Sequence, residues 1–437
     1  MNTAHSAKGT HPSSHLVVPR QNYGKTIAAI TVGNGLEFFD FAIYTYFATV
    51  IGEVFFPSGS KLTQLLFSLA TFGVGFVARP LGGVVIGMYA DRVGRKSAMV
   101  LSLWLTALGS AVFVVAPTFA TIGIFAPVLL IVGRLIQGFA IGGEFGASTS
   151  MLVEYAGTHN RGVFASWQLV SQAASTLLGS LTGLALTTML THEQLILWGW
   201  RLAFALGIAV IPIGAYIRNQ LHEEPLKPTA ARRMRSPAME LFRDHSRSLL
   251  VAVLLIAGAA SANYIALHYL TNFAVGVLKM TLAQGLWASI LAGSLQLVIA
   301  VPAGLVSDRY GRKPVLATAW IVLLASVFPA FLWLSTAPNL THLLGLAAVL
   351  TIPTAFVTVT TVTMISEIFP RAIRATGLSI AYSLGVSIFG GFAQFIATLL
   401  VQLTGSKLAP AGYMIALGLV AFAALTQCDE MAGRTLD

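Results

Sequence analysis

Charge is what this sequence has least of. Only 10% of its 437 residues are Asp, Glu, Lys or Arg, while 56% are hydrophobic, and the mean hydropathy is +0.79. Soluble domains carry roughly 25% charged residues, so an ordinary water-facing surface is excluded and the bilayer is the solvent that fits. Cysteine is nearly absent. Cys428 is the single one, which excludes an internal disulfide framework, a CxxC pair and a Cys/His zinc site. Acidic residues are outnumbered 16 to 26 by basic ones, for a net charge of +10. In a soluble protein that excess would point to nucleic acid. Here the basic residues fall in short segments between apolar runs, without interleaved aromatics, which excludes that partner and reads as orientation in a membrane. HExxH, GxSxG and P-loop patterns are missing, as is any His–acid pair within a span. A membrane enzyme would therefore lack its chemistry, and no cofactor or metal is expected. Residues 1–24 are polar, carry His5, His11 and His15, and lack the apolar core of a signal peptide. They are expected to be a disordered cytoplasmic tail and not a metal site.

What is present is a series of apolar runs. A spanning helix needs ~20 mostly apolar residues. Twelve such runs lie at about 26–52, 62–89, 97–117, 121–153, 162–190, 200–220, 247–277, 283–305, 314–336, 341–366, 373–403 and 408–427. With the N-terminus inside, twenty Lys and Arg fall on the cytoplasmic side and only Lys61, Arg201, Lys279 and Lys407 outside. That asymmetry predicts both termini in the cytoplasm. The hydrophilic stretch 221–246 reads as a cytoplasmic linker with a short amphipathic piece near Met239–Arg243. It divides the chain into six-helix bundles at 25–220 and 247–427, followed by a C-terminal tail, 428–437.

The halves repeat. GMYADRVGRK (Gly87–Lys96) follows the second run and GLVSDRYGRK (Gly304–Lys313) the eighth, 217 residues later; Glu154 and Arg161 recur as Glu367 and Arg374, 213 residues later. Two motif pairs at nearly one offset predict an all-α membrane protein of two pseudo-symmetric six-helix bundles, with its substrate site at midplane between them. Asp91, Arg92 and Arg95, with Asp308, Arg309 and Arg312, lie too near the cytoplasmic ends to touch such a substrate. They are expected to hold helix ends together when that side is shut. Asp91 is placed to cap a helix N-terminus of the neighbouring half, where the dipole favours an anion. Glu154, Arg161, Glu367 and Arg374 extend the same gating cluster. The alternative is a basic loop that only fixes topology.

A charge at mid-bilayer costs at least ~2.5–3.5 kcal/mol and needs a partner or a watery cavity. Five candidates exist: Glu37 and Asp40 in the first run, Arg79 in the second, Arg134 and Glu144 in the fourth. Counting ~1.5 Å per residue puts Asp40 and Arg134 at comparable depth, and Glu37 level with Arg79. These are the expected pairs. Asp40, with Glu37 beside it at i−3, is the proton-coupling candidate. Arg134 is the substrate carboxylate's candidate partner, because its planar fork matches a carboxylate. A permanent structural ion pair is the other possibility. Arg79 and Glu144 sit among close-packing glycines (RPLGG, GGEFG) and read as intramembrane charge partners. Further binding candidates are Asn34, Gln168, Gln172, Tyr264, His268 and Tyr382, alongside Asn263, Tyr269, Asn272, Thr358 and Thr361. Tyr264 and His268 share a helix face at i and i+4.

The pattern G-x-x-x-D-[RK]-x-G-R-[RK], met twice here, resembles the signature of the major facilitator superfamily. Within it, GNGLEFFDF (Gly33–Phe41), FVARPLGG (Phe76–Gly83), GRLIQGFAIGGEFG (Gly133–Gly146) and RATGLSIAYSLGVSIFGG (Arg374–Gly391) resemble the metabolite–proton symporters. WGWRLAF (Trp198–Phe204) and LVQLTGSK (Leu400–Lys407) are similar to the citrate and tricarballylate members. The resemblance implies a monomeric symporter of a bacterial cytoplasmic membrane, moving a small organic anion with protons by alternating access. The fifth run lacks the proline-containing motif of family antiporters, which also implies symport. A channel is the competing class, though a duplicated chain with latch motifs fits a carrier better.

Overall fold

The computed structural model describes residues 23–93, 95–142, 144–219, 237–370 and 373–434. The expectations for the N-terminal tail, its histidines and most of the linker therefore lie outside the described residues. So do those for the side chains of Asp91, Arg92, Arg95, Glu144 and Glu154.

The described residues are helical almost throughout. The first span, Tyr23–Tyr46, continues after a break as Ala48–Phe55, with a bend of 62° between the two pieces. The second joins Lys61–Val77 to Arg79–Val93, the third is Arg95–Val115, and the fourth joins Phe125–Gly142 to Glu144–Tyr155. The fifth, Arg161–Met189, and the sixth, Trp200–Asn219, complete the N-terminal bundle. The seventh runs Ser246–Tyr264, a π-helical turn Ile265–Tyr269, and Leu270–Gly276. The eighth is Leu282–Tyr310, the ninth Arg312–Thr336 and the tenth Leu340–Ile368. The eleventh, Arg374–Gly385, passes through the π-turn Val386–Gly391 into Ala393–Thr404; Ala409–Thr426 is the twelfth. Among the described residues ten of these helices are long and apolar enough to cross a membrane, eleven with the bent first pair, and Trp200–Asn219 is a further helix of 20 residues. Pro212, Pro302, Pro329 and Pro353 lie inside helices, which is tolerated where packed neighbours re-satisfy the freed carbonyls.

Small residues decide how closely the helices approach. A Cβ on Gly138 would collide with the carbonyl of Gly75, and one on Gly142 with that of Arg79, so the second and fourth spans touch backbone to backbone. Lipid gives helices no hydrophobic reason to associate, and such contact is what van der Waals packing in a membrane requires. The fifth and eighth spans run against each other as the main seam between the halves. Between the bundles, Pro237–Asp244 forms a short amphipathic helix that buries Leu241 and exposes Met239 and Phe242.

Candidate functional site

Asp40 is buried at the centre of the N-terminal bundle, 1% exposed. Its Oδ2 accepts a hydrogen bond from the Ser110 hydroxyl of the third span and a long one, 3.5 Å, from Gln137 Nε2 of the fourth. Oδ1 lies against Gly207 of the sixth span, where a Cβ would strike it. Gln137 also donates to Ser110 Oγ at 2.9 Å, while its Oε1 accepts from Arg134 Nη1 at 2.8 Å. The expected direct pairing of Asp40 with Arg134 is therefore replaced by a bridge. No ion pair joins the two among the described residues, because the Gln137 amide stands between them with its donor end toward the acid and its acceptor end toward the base. The pairing expected of Glu37 with Arg79 is not among the described ion pairs either; Glu37 is fully buried.

Arg134 is enclosed by rings, its guanidinium carbon lying 3.7 Å from the Tyr44 ring centroid and 5.0, 5.2 and 5.4 Å from those of Phe113, Phe41 and Phe72. Desolvated cation–π contacts reach ~2 kcal/mol. Together with the Gln137 bond they offset part of the cost of burying the charge, while Nε and Nη2 have no hydrogen-bond partner among the described residues. Arg79 is placed differently. Its guanidinium stacks on Phe76 at 3.9 Å and Phe41 at 5.2 Å. Among the described residues none of its three nitrogens has a hydrogen-bond partner, although it is 1% exposed. The Tyr264 hydroxyl is its nearest polar neighbour, close to but short of good hydrogen-bond geometry, and its charge also reaches the Tyr382 hydroxyl.

Those two tyrosines belong to a narrow pocket on the seam between the halves, with a cavity volume of about 30 Å³. Its polar lining is Gln172 from the N-terminal half and Asn263, Tyr264, Thr358, Thr361 and Tyr382 from the C-terminal half. Tyr382 stacks face to face on Phe145 across the seam, at 3.3 Å between centroids. Gln296 Nε2 donates to Asn263 Oδ1 at 2.8 Å, fixing that amide. Of the binding candidates, Gln172, Tyr264 and Tyr382 are brought together here. Asn34 and Gln168 bond instead to each other and to Ser171, and His268 Nδ1 meets Tyr46 OH at 3.4 Å. Neither Arg134 nor Arg79 is among its lining residues; Arg79 lies behind Tyr264 and Tyr382.

One end of the molecule, where the two DRxGRK segments lie, is held by charges. Asp308 of the eighth span accepts the backbone N–H of Gly162 at 2.8 Å and of Val163 at 3.0 Å. These are orphan donors at the N-terminus of the fifth span, where the helix dipole favours an anion. The capping across the halves that the sequence assigns to Asp91 is thus present at its repeat counterpart. Arg312 donates to Asp308 at 2.7 Å and forks onto both oxygens of Glu367, at 3.1 and 3.0 Å. Arg161 reaches the same carboxylate from the other half at 3.3 Å. Arg309 is exposed and stands outside this network, and Arg374 is buried. The C-terminal tail joins in. Glu430 accepts N–H bonds from Arg312, Lys313 and Ala432 at 2.8 to 3.0 Å, and the Arg434 carbonyl accepts from Arg161 at 3.0 Å. Partial burial pulls the Glu430 carboxyl upward, but those N–H bonds hold it below the usual carboxylate range. The opposite end is closed by neutral groups: Asn272 Nδ2 donates to the Thr45 carbonyl and to Gln394 Oε1, both at 3.0 Å.

Ser110, Gln137, Gly207 and Glu430 belong to these sites without being among the residues the sequence singles out. Gln137 follows Arg134 by three residues and so shares its helix face, a usable signal. A serine or glycine in an apolar run carries none.

Two six-helix bundles, a pocket on their seam and a latch at one end are the build of a secondary transporter. The chain belongs to the major facilitator superfamily. A model of "Sugar (and other) transporter" matches residues 25–225, and one of "Major Facilitator Superfamily" matches 249–428. A citrate-proton symporter of Klebsiella pneumoniae is 32% identical over 89% of this chain and 88% of its own length. A proline/betaine transporter of Salmonella typhimurium is 30% identical, over 94% and 84%. Among solved structures, a proton:xylose symporter bound to 6-bromo-6-deoxy-D-glucose superposes with a TM-score of 0.74 at 19% identity, covering 94% of this chain and 97% of that one.

Proposed function

We propose that the protein is a proton-coupled symporter that imports a small organic carboxylate, a tricarboxylate such as citrate or tricarballylate before others, by alternating access. The carrying observation is a buried guanidinium behind the pocket wall, Arg79, whose nitrogens have no hydrogen-bond partner among the described residues. A planar fork that stays charged when desolvated, and is not already committed, suits an arriving carboxylate. Gln172, Asn263, Thr358 and Thr361 add neutral hydrogen bonds around it. Similarity to a citrate-proton symporter supports the same reading.

Asp40 takes the proton. Arg134, caged and bridged through Gln137, acts as its counter-charge and not as the substrate's partner. A tricarboxylate carries more charge than Arg79 balances, so protonation of Asp40 reduces the negative charge that must cross with it. Opening the basic end then requires Asp308 to leave the fifth span's N-terminus. We take that end to be cytoplasmic, with both termini on the same side of a bacterial inner membrane and one chain as the working unit. The distribution of Lys and Arg supports this orientation.

A zwitterion such as proline or betaine is the second reading, favoured by the 30% relative and by the uncharged C-terminal wall of the pocket. Competition separates the two. Uptake of labelled citrate by cells expressing the chain is expected to be suppressed by excess tricarballylate and aconitate and untouched by shikimate or proline. Suppression by proline alone would overturn the tricarboxylate reading.

A further inference from the structure

Ser110 carries a role that neither the superfamily signature nor the pocket assigns. We propose that Ser110 is a positioning residue whose hydroxyl switches acceptors so that Asp40 is hydrogen-bonded both with and without its proton. This rests on the reading of Asp40 as the proton carrier.

The geometry contains both settings. Ser110 Oγ has one hydrogen to give and two acceptors in reach: Asp40 Oδ2 and, at 3.0 Å, the carbonyl of Thr106 one turn back. It also accepts from Gln137 Nε2 at 2.9 Å. With Asp40 ionised, the hydroxyl donates to Oδ2, a charge-assisted bond. When a proton binds at Oδ2, that oxygen becomes a donor and points its hydrogen at Ser110 Oγ. The Ser110 hydrogen then rotates to Thr106 O, the ordinary back-bond of a helical serine. No bond within the backbone breaks, and no donor is left unmatched. Gln137 cannot do this. Its amide is pinned by Arg134 at the other end, and an N–H can only donate.

The surroundings leave Ser110 as the group that responds. The sixth span presents Gly207 to Asp40. The fourth presents Gln137 and, behind it, Arg134 with Tyr44 stacked on it. Glu37 lies one turn away on the same span as Asp40. The Arg134 charge favours ionised Asp40 throughout, but a fixed charge does not adapt to the two protonation states.

The test reads Asp40 directly and needs no substrate. The full chain, reconstituted in lipid, is titrated by difference infrared spectroscopy, following the carboxylic C=O stretch; Asp40→Asn identifies the band that belongs to Asp40. Ser110→Ala removes a hydrogen bond to a charged acceptor, which is expected to move the band's midpoint upward by about one pH unit. Ser110→Thr keeps the hydroxyl and is expected to restore the wild-type midpoint. An unmoved midpoint in Ser110→Ala overturns the proposal, as does a shift that Ser110→Thr fails to restore. Loss of no band in Asp40→Asn overturns it as well. Proton-driven accumulation by Asp40→Asn is measured alongside: if it is retained while the band shifts in Ser110→Ala, Asp40 as proton carrier fails and the hydroxyl switch stands as local chemistry.

Discussion

Arg79 and Arg134 are buried to the same degree, yet their surroundings differ. Arg134 has four aromatic rings and an amide oxygen; Arg79 has two rings and nitrogens with no hydrogen-bond partner among the described residues. A buried charge that forgoes hydrogen bonds is costly, and under the proposed function that cost is recovered when a carboxylate arrives. Arg79→Lys keeps the charge but loses the fork. Hydrogen bonds to charged groups contribute ~1.5–3 kcal/mol, so KM for citrate uptake is expected to rise at least tenfold. The concentration dependence of uptake in proteoliposomes checks this, and an unchanged KM would put the anion elsewhere. Gly207 operates at the same scale. Its missing side chain is the space that Asp40 Oδ1 occupies, so a larger residue there would push the acid off Ser110.

At the scale of helices, the two ends of the seam are closed by unlike chemistry. The basic end joins the eighth span to the fifth through Asp308, and the tenth to both halves through Glu367. The other end relies on the amides of Asn272 and Gln394. Charge-assisted bonds at a helix N-terminus exceed neutral amide contacts by roughly twofold, so the basic end is the harder one to open. Asp308→Asn removes the charge while keeping the shape. A loss of ~1–2 kcal/mol changes a two-state ratio by roughly 5- to 30-fold. Thiol labelling of a cysteine placed at the buried Ser166, in a Cys428→Ser background, is expected to accelerate by about that factor. Unchanged labelling would mean the cap does not hold the end shut. The π-turns Ile265–Tyr269 and Val386–Gly391 bear on the pocket too. They carry no compositional mark, because a one-residue insertion in a helix is decided by what packs around it.

Across the whole molecule, the C-terminal tail crosses from the twelfth span to the N-terminal half. Glu430 caps the start of the ninth span, and the Arg434 carbonyl bonds Arg161. Because folding lowers the Glu430 carboxyl below its ordinary value of 4.5, its contribution is complete above that value and is lost as the pH falls through the lowered one. Docking of the tail is thus expected to be constant near neutrality and to fail only in strong acid. Glu430→Gln is expected to undock it at pH 7. Cys428, buried in the docked tail, is the native reporter: its maleimide labelling should rise severalfold in Glu430→Gln and stay slow in the parent chain. Equal rates would show that the tail is held by something other than Glu430.

The amino-acid sequence by itself determined the solvent, the span pattern and the repeat of latch motifs. Hydropathy and short charged segments are local properties, and a bilayer reads them without reference to tertiary contacts. It also marked Asp40, Arg79 and Arg134 as exceptional, since a charge within an apolar run stands out wherever the helices go. Only the tertiary structure decided what those charges face. Depth along a helix matched Asp40 to Arg134 but not the rotation of either helix, and rotation is what put Gln137 between them and left Arg79 behind the pocket. Ser110 and Gly207 gained their places the same way, from glycine-governed close approach of helices far apart in the chain.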